Sequence, residues 1–187
     1  MDGKVRKVTI SGRDLFVCDG LIDAGMATQL GIAVKGLHYK RSEKSRADVP
    51  ALSSAADIDP GVVAADPFFQ RLKAVAQKMF PGEALSDLRA YVNSSVYGDS
   101  YFSHRDCPQD SHNVTVLYYA NLIWQTDWGG ETIFYNDDED AVLAVSPKPG
   151  RLVVGRGAIL HRATVPTRSC YEERLTVAYK LLSGGPK

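Results

Sequence analysis

Asn113-Val114-Thr115-Val116-Leu117-Tyr118-Tyr119-Ala120-Asn121 is the stretch on which the fold turns. It is rich in β-branched and aromatic residues, holds no glycine or proline, and is bounded at both ends by asparagine, the pattern of a strand between turns. It belongs to a half of the chain, from Leu88 onward, in which apolar and polar residues alternate in short runs punctuated by Gly, Asn, Asp and Pro. The alternation predicts strands near 88–97, 100–106, 113–122, 131–135, 141–145, 151–155, 157–161 and 173–181, with turns at Trp128-Gly129-Gly130, Asn136-Asp137-Asp138 and Pro147-Lys148-Pro149-Gly150. That many short strands predict a jelly roll or barrel.

Ahead of this half the pattern is different. Val5 to Cys18 reads as a strand, and Asp19 stands where an N-cap would, before Leu21, Ile22, Met26, Leu30 and Val34 at helical spacing. From Leu37 to Asp66 no period is sustained, which predicts a long loop, either a functional lid or a disordered insert. Asp66 then caps a second helix with Pro67 in its first turn, and Phe68, Leu72, Val75, Ala76 and Met79 form its apolar stripe until Pro81-Gly82. The expectation is one domain over residues 1–187, mainly β with flanking helices. Residues 1–87 would supply helical support and a lid loop, and 88–181 the β core.

Length and charge narrow the function classes. The 187 residues carry 22 Lys+Arg and 22 Asp+Glu, 44% hydrophobic and 24% charged residues, a composition suited to a compact core with no global pull toward nucleic acid or anionic membrane. No apolar run reaches signal-peptide or membrane-spanning length, so a cytoplasmic protein is expected. Cys18, Cys107 and Cys170 are odd in number and far apart, which disfavours a disulfide framework or a zinc ribbon.

The chemistry concentrates in Tyr101-Phe102-Ser103-His104-Arg105-Asp106. In an extended chain His104 and Asp106 point to the same side and can share one metal. The letters His-Arg-Asp also open the kinase catalytic loop, but the companion Asn, DFG and glycine-rich motifs are missing. His161, late in the β-rich half, supplies a third ligand. Two histidines and a carboxylate form a facial triad for Fe(II), or hold zinc with a water. Arg174 begins Arg174-Leu175-Thr176-Val177-Ala178-Tyr179, where Arg174 and Thr176 share a face. An inward arginine there requires an anion, and its planar fork suits a carboxylate.

Taken together, Tyr101-x-x-His104-x-Asp106, the 113–121 stretch, Gly129-Gly130-Glu131-Thr132, Pro149-Gly150, His161 and Arg174 resemble the Fe(II)/2-oxoglutarate dioxygenase superfamily, in its prolyl-4-hydroxylase-like branch. The resemblance covers roughly residues 88 to 181. It implies a double-stranded β-helix, a cupin-like jelly roll braced by N-terminal helices. Fe(II) would be held by His104, Asp106 and His161, with 2-oxoglutarate and dioxygen as cosubstrates. Arg174, Tyr119, Thr176 and Tyr91 would contact the keto acid; Asn93, Tyr97 and Tyr101 are further candidates near its metal-bound end. The implied reaction is oxidation of a substrate C–H bond with release of succinate and carbon dioxide.

Substrate choice is less constrained. Trp124 and Trp128 are candidates for an aromatic wall, and Arg162 for binding an acidic group. The expected substrate is a small molecule, namely an amino acid, short peptide or biosynthetic intermediate. A peptidyl prolyl hydroxylase is the alternative, and a noncatalytic metal-binding barrel or zinc hydrolase is the alternative of another class. Nucleic acid and membrane partners are not expected, and the oligomeric state stays open.

Overall fold

A computed structural model describes residues 3–184. The strands form two antiparallel sheets. The larger contains β1 (Lys4–Ile10), β2 (Arg13–Asp19), β3 (Lys40–Glu43), β4 (Ser53–Asp57), β5 (Leu85–Ser95), β6 (Val114–Tyr119), β9 (Leu152–Arg156) and β11 (Arg174–Ser183), in the spatial order β1-β2-β9-β6-β11-β5-β4-β3. The smaller contains β7 (Thr132–Tyr135), β8 (Ala141–Val145) and β10 (His161–Ala163), in the order β10-β7-β8. Three helices, α1 (Ala24–Lys35), α2 (Pro60–Ala65) and α3 (Pro67–Met79), precede β5.

The period of two in each central strand divides the molecule into two cores. Val114, Val116 and Tyr118 of β6, Leu152 and Val154 of β9, and Leu175, Val177, Tyr179 and Leu181 of β11 pack with Phe68, Phe69, Leu72, Val75 and Ala76 of α3 and Val34 of α1. Phe68 meets Tyr118 edge to face at 5.0 Å, and Phe69 meets Tyr179 at 5.5 Å. The alternate residues turn the other way. Leu15, Val17, Tyr119 and Val153 of the large sheet close against Phe134 and Val145 of the small one. Between the two sheets lies the cavity to which the inward residues of β5 and β11 contribute. This is the expected mainly-β jelly roll with flanking helices, a double-stranded β-helix.

Several boundaries differ from the sequence reading, each for a local reason. Val5 to Cys18 is a hairpin and not one strand, because Ser11 (φ 48) and Gly12 (φ 75) turn the chain in the left-handed region. The N-cap of α1 is Asp23, which accepts from Gly25 N at 2.8 Å and Met26 N at 3.2 Å. Asp19 instead ion-pairs with Arg151, both carboxylate oxygens accepting at 2.8 Å. Residues 1–87 are more than helical support, since β1–β4 widen the large sheet on both sides. The stretch 37–66 is an ordered wall built from β3, β4 and α2. Residues 100–106 and 157–160 are irregular, joined to the sheets by the bridge His104–His161 and by single bonds such as Tyr135 N to Leu160 O at 2.9 Å. Asp66 and Pro67 cap α3 as expected.

Candidate metal centre

His104, Asp106 and His161 come together from two chain segments. The bridge is made by His104 N donating to His161 O at 2.9 Å and His161 N to His104 O at 3.0 Å. Asp106 N donates to Gly157 O at 2.8 Å, which sets the carboxylate beside the bridge. Gly157 eases this approach, because a Cβ there would press on Cys107 Sγ at 3.1 Å, Asp106 Cβ at 3.2 Å and Thr115 Oγ1 at 3.2 Å. One ligand atom from each of the three side chains falls within 4.8 Å of the others.

Hydrogen bonds decide which atoms face inward. His104 Nδ1 lies 2.9 Å from Phe102 O, and His161 Nδ1 lies 2.9 Å from Ile159 O. A carbonyl only accepts, so each Nδ1 carries the proton and each Nε2 keeps its lone pair for a metal. Both Nε2 atoms face Asp106, at 3.6 Å from Oδ1 and 3.8 Å from Oδ2. Phe134 stacks on the His161 ring at 5.8 Å.

The electrostatics keep the set in ligand form. Burial, then the charge of His161, pull the His104 imidazole down to about 4, so it is neutral at physiological pH. Burial alone would raise Asp106, but His161, Lys180, His104 and the Thr115 hydroxyl hold it well below the usual carboxylate range. Thr115 Oγ1 donates to Asp106 Oδ2 at 2.7 Å, and Lys180 Nζ lies 3.0 Å from Oδ1. Lys180, raised by Asp106 and Tyr91 against the effect of burial, stays cationic. Tyr91 sits beside this pair, its ring centroid 5.4 Å from Lys180 Nζ, and burial and Asp106 push its phenol up to about 12. The sequence reading passed over Thr115 and Lys180. Both were visible as inward positions, Thr115 alternating with Val114 and Val116, and Lys180 continuing the face of Arg174, Thr176 and Ala178. Two imidazole Nε2 atoms turned toward an anionic oxygen ligand, with open space beside them, fit Fe(II).

The family model of the "2OG-Fe(II) oxygenase superfamily" matches residues 91–179, the span that runs from within β5 to within β11 and carries the triad. The chain belongs to the 2-oxoglutarate- and Fe(II)-dependent oxygenase superfamily. Among solved structures, it is similar to a prolyl hydroxylase of Trichoplax adhaerens in complex with a hypoxia-inducible-factor oxygen-degradation-domain peptide fragment (18% identity, TM-score 0.69, covering 90% of this chain and 83% of that one). It is also similar to a prolyl-4-hydroxylase of Pseudomonas putida (21%, 0.65, 90% and 91%) and to the non-heme α-ketoglutarate-dependent epimerase SnoN from nogalamycin biosynthesis (14%, 0.65, 92% and 80%). Among curated protein sequences, no relative matches at a significant level. No helix among the described residues is long and apolar enough to cross a membrane.

The other expected site residues of this oxygenase divide into two groups. Arg174, Thr176 and Tyr91 line the same cavity as the triad, together with Asn93 and Tyr101. Arg174 is 1% exposed; its Nε donates to Gly130 O at 2.6 Å, one terminal nitrogen to Thr132 Oγ1 at 3.0 Å and the other to Thr176 Oγ1 at 3.4 Å. Gly130 (φ 77) admits this contact, since a Cβ would press on Trp124 at 3.0 Å and Arg174 Cδ at 3.1 Å. Among the described residues no carboxylate pairs with Arg174. Tyr119 lies behind the wall, its ring 5.3 Å from the guanidinium carbon.

Trp124, Trp128, Arg162 and Tyr97 stand apart from the cavity wall. Trp124 donates to Gly129 O at 3.0 Å, and Trp128 is buried between Trp124 and Tyr171 in edge-on contacts, so the pair closes a loop and does not wall the cavity. Arg162 alternates with His161 and Ala163, which both line the cavity, and therefore faces the opposite side of β10. Tyr97 is 63% exposed.

Proposed function

We propose that this oxygenase hydroxylates a prolyl residue presented within an extended peptide, and that Arg174 receives the distal carboxylate of 2-oxoglutarate. The observation that carries the substrate reading is the cavity wall opposite β7 and β10. Glu43, Lys44 and Ser45 line it, and they belong to or follow β3, the terminal strand of the large sheet. An extended main chain crossing this wall would reach β3, which among the described strands pairs only with β4. The fold likeness to prolyl hydroxylases supports this substrate over the free small molecule expected from compactness.

When bound, Fe(II) and 2-oxoglutarate supply C–H oxidation by dioxygen, coupled to decarboxylation to succinate and carbon dioxide. The chain supplies the geometry. His104, Asp106 and His161 would hold the metal on one face, leaving the remaining positions toward the cavity. Thr115 and Lys180 occupy the lateral sides of the Asp106 oxygens and fix the carboxylate's plane. Arg174, a buried cation without a counterion among the described residues, would fix the far end of the keto acid and so its orientation at the metal. The Ser45 hydroxyl accepts from Phe102 N at 3.1 Å and Arg46 donates to Ser103 O at 2.9 Å, which ties the peptide-facing wall to the segment leading into His104.

The test is incubation of the purified protein with Fe(II), 2-oxoglutarate and dioxygen, against proline-containing peptides and a panel of free amino acids. Succinate is measured alongside substrate mass. An oxygen atom added to a prolyl residue in peptides, and absent from free amino acids, is expected. Oxygen added only to free amino acids would overturn the peptide reading and restore the small-molecule one.

A further inference from the structure

The cavity wall carries one charge that nothing in the chain answers. Besides the two histidines, five charged side chains line the cavity, namely Glu43, Lys44, Asp106, Arg156 and Arg174. Four of them are engaged. Glu43 accepts from both terminal nitrogens of Arg89, at 3.3 and 3.0 Å. Asp106 belongs to the triad and is flanked by Lys180 at 3.0 Å. Arg156 pairs with Glu83, one nitrogen donating at 2.8 Å, and Arg174 is assigned above to the keto acid. Lys44 is exposed and has no ion pair or hydrogen bond among the described residues.

The segment around it is lopsided in charge, although the chain as a whole is neutral. Residues 40–48 hold the cations Lys40, Arg41, Lys44 and Arg46 against the anions Glu43 and Asp48. Both anions are neutralised close by, Glu43 by Arg89 at 3.0 Å and Asp48 by Arg46 at 2.9 Å. Arg41 turns to Asp99 at 3.4 Å and to Leu52 O at 3.2 Å. Lys40 and Lys44 are left over, both exposed and about 13 Å apart along β3 and its continuation. On the facing wall Phe134, His161 and Ala163 present no carboxylate. An extended chain laid along β3 with one residue at the metal carries its neighbouring side chains past ammonium groups and no free anion, which favours acidic neighbours. The kind of anion follows from which cations are free. The planar forks that grip a phosphate best are those of Arg41 and Arg46, and both are already taken, Arg46 by Ser103 O as well as by Asp48. A lone ammonium on a flexible stem is a point charge, suited to the single charge of an Asp or Glu side chain.

We propose that Lys44 selects acidic peptides, binding an Asp or Glu side chain that flanks the prolyl residue to be oxidised. This inference rests on the peptide reading above. Its test compares peptides of one length and one central proline, with Glu, Gln, Lys or phosphoserine at the flanking positions, incubated with the Fe(II)-loaded protein, 2-oxoglutarate and dioxygen. KM and kcat are read from succinate and from peptide mass. The Glu peptide is expected to exceed the Gln peptide by about 3- to 5-fold in kcat/KM, chiefly through KM, the scale of one exposed ion pair, and to exceed the Lys peptide by about 10-fold. The preference should shrink to within about 2-fold in about 0.5 M salt, since the pair is exposed to solvent. Lys44→Glu, a substitution at an exposed side chain whose folding is checked by circular dichroism, is expected to invert the order so that the Lys peptide becomes the better substrate. Equal kcat/KM for the Glu and Gln peptides in the wild type would overturn the proposal, as would an acidic preference that survives Lys44→Glu. A phosphoserine peptide favoured over the Glu peptide by more than about 10-fold would overturn the carboxylate assignment. No oxidation of any peptide, with oxygen added to free amino acids, would sink the peptide reading itself, a result distinct from the other three.

Discussion

The two ends of the cavity are built by different means. At the metal end, His104 and Asp106 lie outside regular strands and are fixed by a few main-chain bonds to His161 and Gly157. At the other end Arg174 and Thr176 stand on β11, a central strand paired on both sides, by β5 and β6. The contrast has a physical reason. Three ligands must converge on one point from one side, which a flat ladder spaced at about 3.3 Å per residue cannot arrange, whereas Arg174 and Thr176, residues i and i+2 of one strand, face the cavity together by the strand's own period. The metal end gains convergence and depends on individual contacts; the arginine end has the sheet behind it.

The comparison breaks first at the triad. Asp106→Ala or His161→Ala is expected to abolish the Fe(II)–2-oxoglutarate charge-transfer band and lower succinate formation by at least about 10³-fold, with far-ultraviolet circular dichroism unchanged. Retention of the band in both variants would remove these residues from the metal. Arg174→Met should leave metal binding intact and weaken 2-oxoglutarate by about 100-fold, as measured by calorimetry, since a charge-assisted pair of hydrogen bonds is lost. If metal and keto acid weaken in parallel, the two ends are not separable.

A third substitution asks how far Asp106 depends on its cation. Lys180→Met leaves the buried carboxylate with Thr115 and the two histidines, and breaking such a pair costs about 3 kcal/mol. The metal-free melting temperature should fall by roughly 6–12 °C. Added Fe(II) or Co(II) should recover more of that loss than it raises the wild type, because the metal replaces the missing charge. An unchanged melting temperature would show that Lys180 is not what steadies Asp106.

The smallest effect is expected where the scaffold meets the metal end. Arg156 precedes Gly157 and ion-pairs with Glu83, which follows α3; Ser183 also donates to Glu83, at 2.6 Å. Arg156 chiefly, and Ser183, hold the Glu83 carboxyl below its ordinary value against the effect of burial. A depressed carboxylate contributes stability above its unfolded value near 4.5, and that contribution fades as pH falls through the lower folded value. Glu83→Gln should therefore lower the melting temperature by a few degrees at pH 7 and by less at pH 3 to 4. A deficit that is the same at both pH values would mean that the charge is not what matters.

The legible parts of the sequence were those governed by local periodicity. Asp66-Pro67 and the stripe of α3 are set within a few residues of chain, and so is the two-faced pattern of β6 that sends Tyr118 to the helices and Tyr119 inward. The His-x-Asp spacing needs only an extended backbone, so it survived although 100–106 is not a strand. Ser53–Asp57 was hidden because Ser-Ser-Ala-Ala-Asp has little strand propensity of its own; it is a strand because the β5 backbone beside it offers a ladder from Ser94 to Tyr91. The substrate-side expectation for Trp124 and Trp128 came from their proximity in sequence, which cannot say whether two rings face a cavity or close a loop.

The sequence by itself determined the strand-rich class, the helix ahead of it, the ligand types and an inward arginine, because each follows from residue identity and the period of the backbone. Only the tertiary structure decided which nitrogen of each histidine faces Asp106, that Lys180 and Thr115 flank that carboxylate, and that Gly130, Thr132 and Thr176 hold the Arg174 guanidinium. Those are matters of donor and acceptor accounting among residues distant in the chain, and no spacing rule contains them.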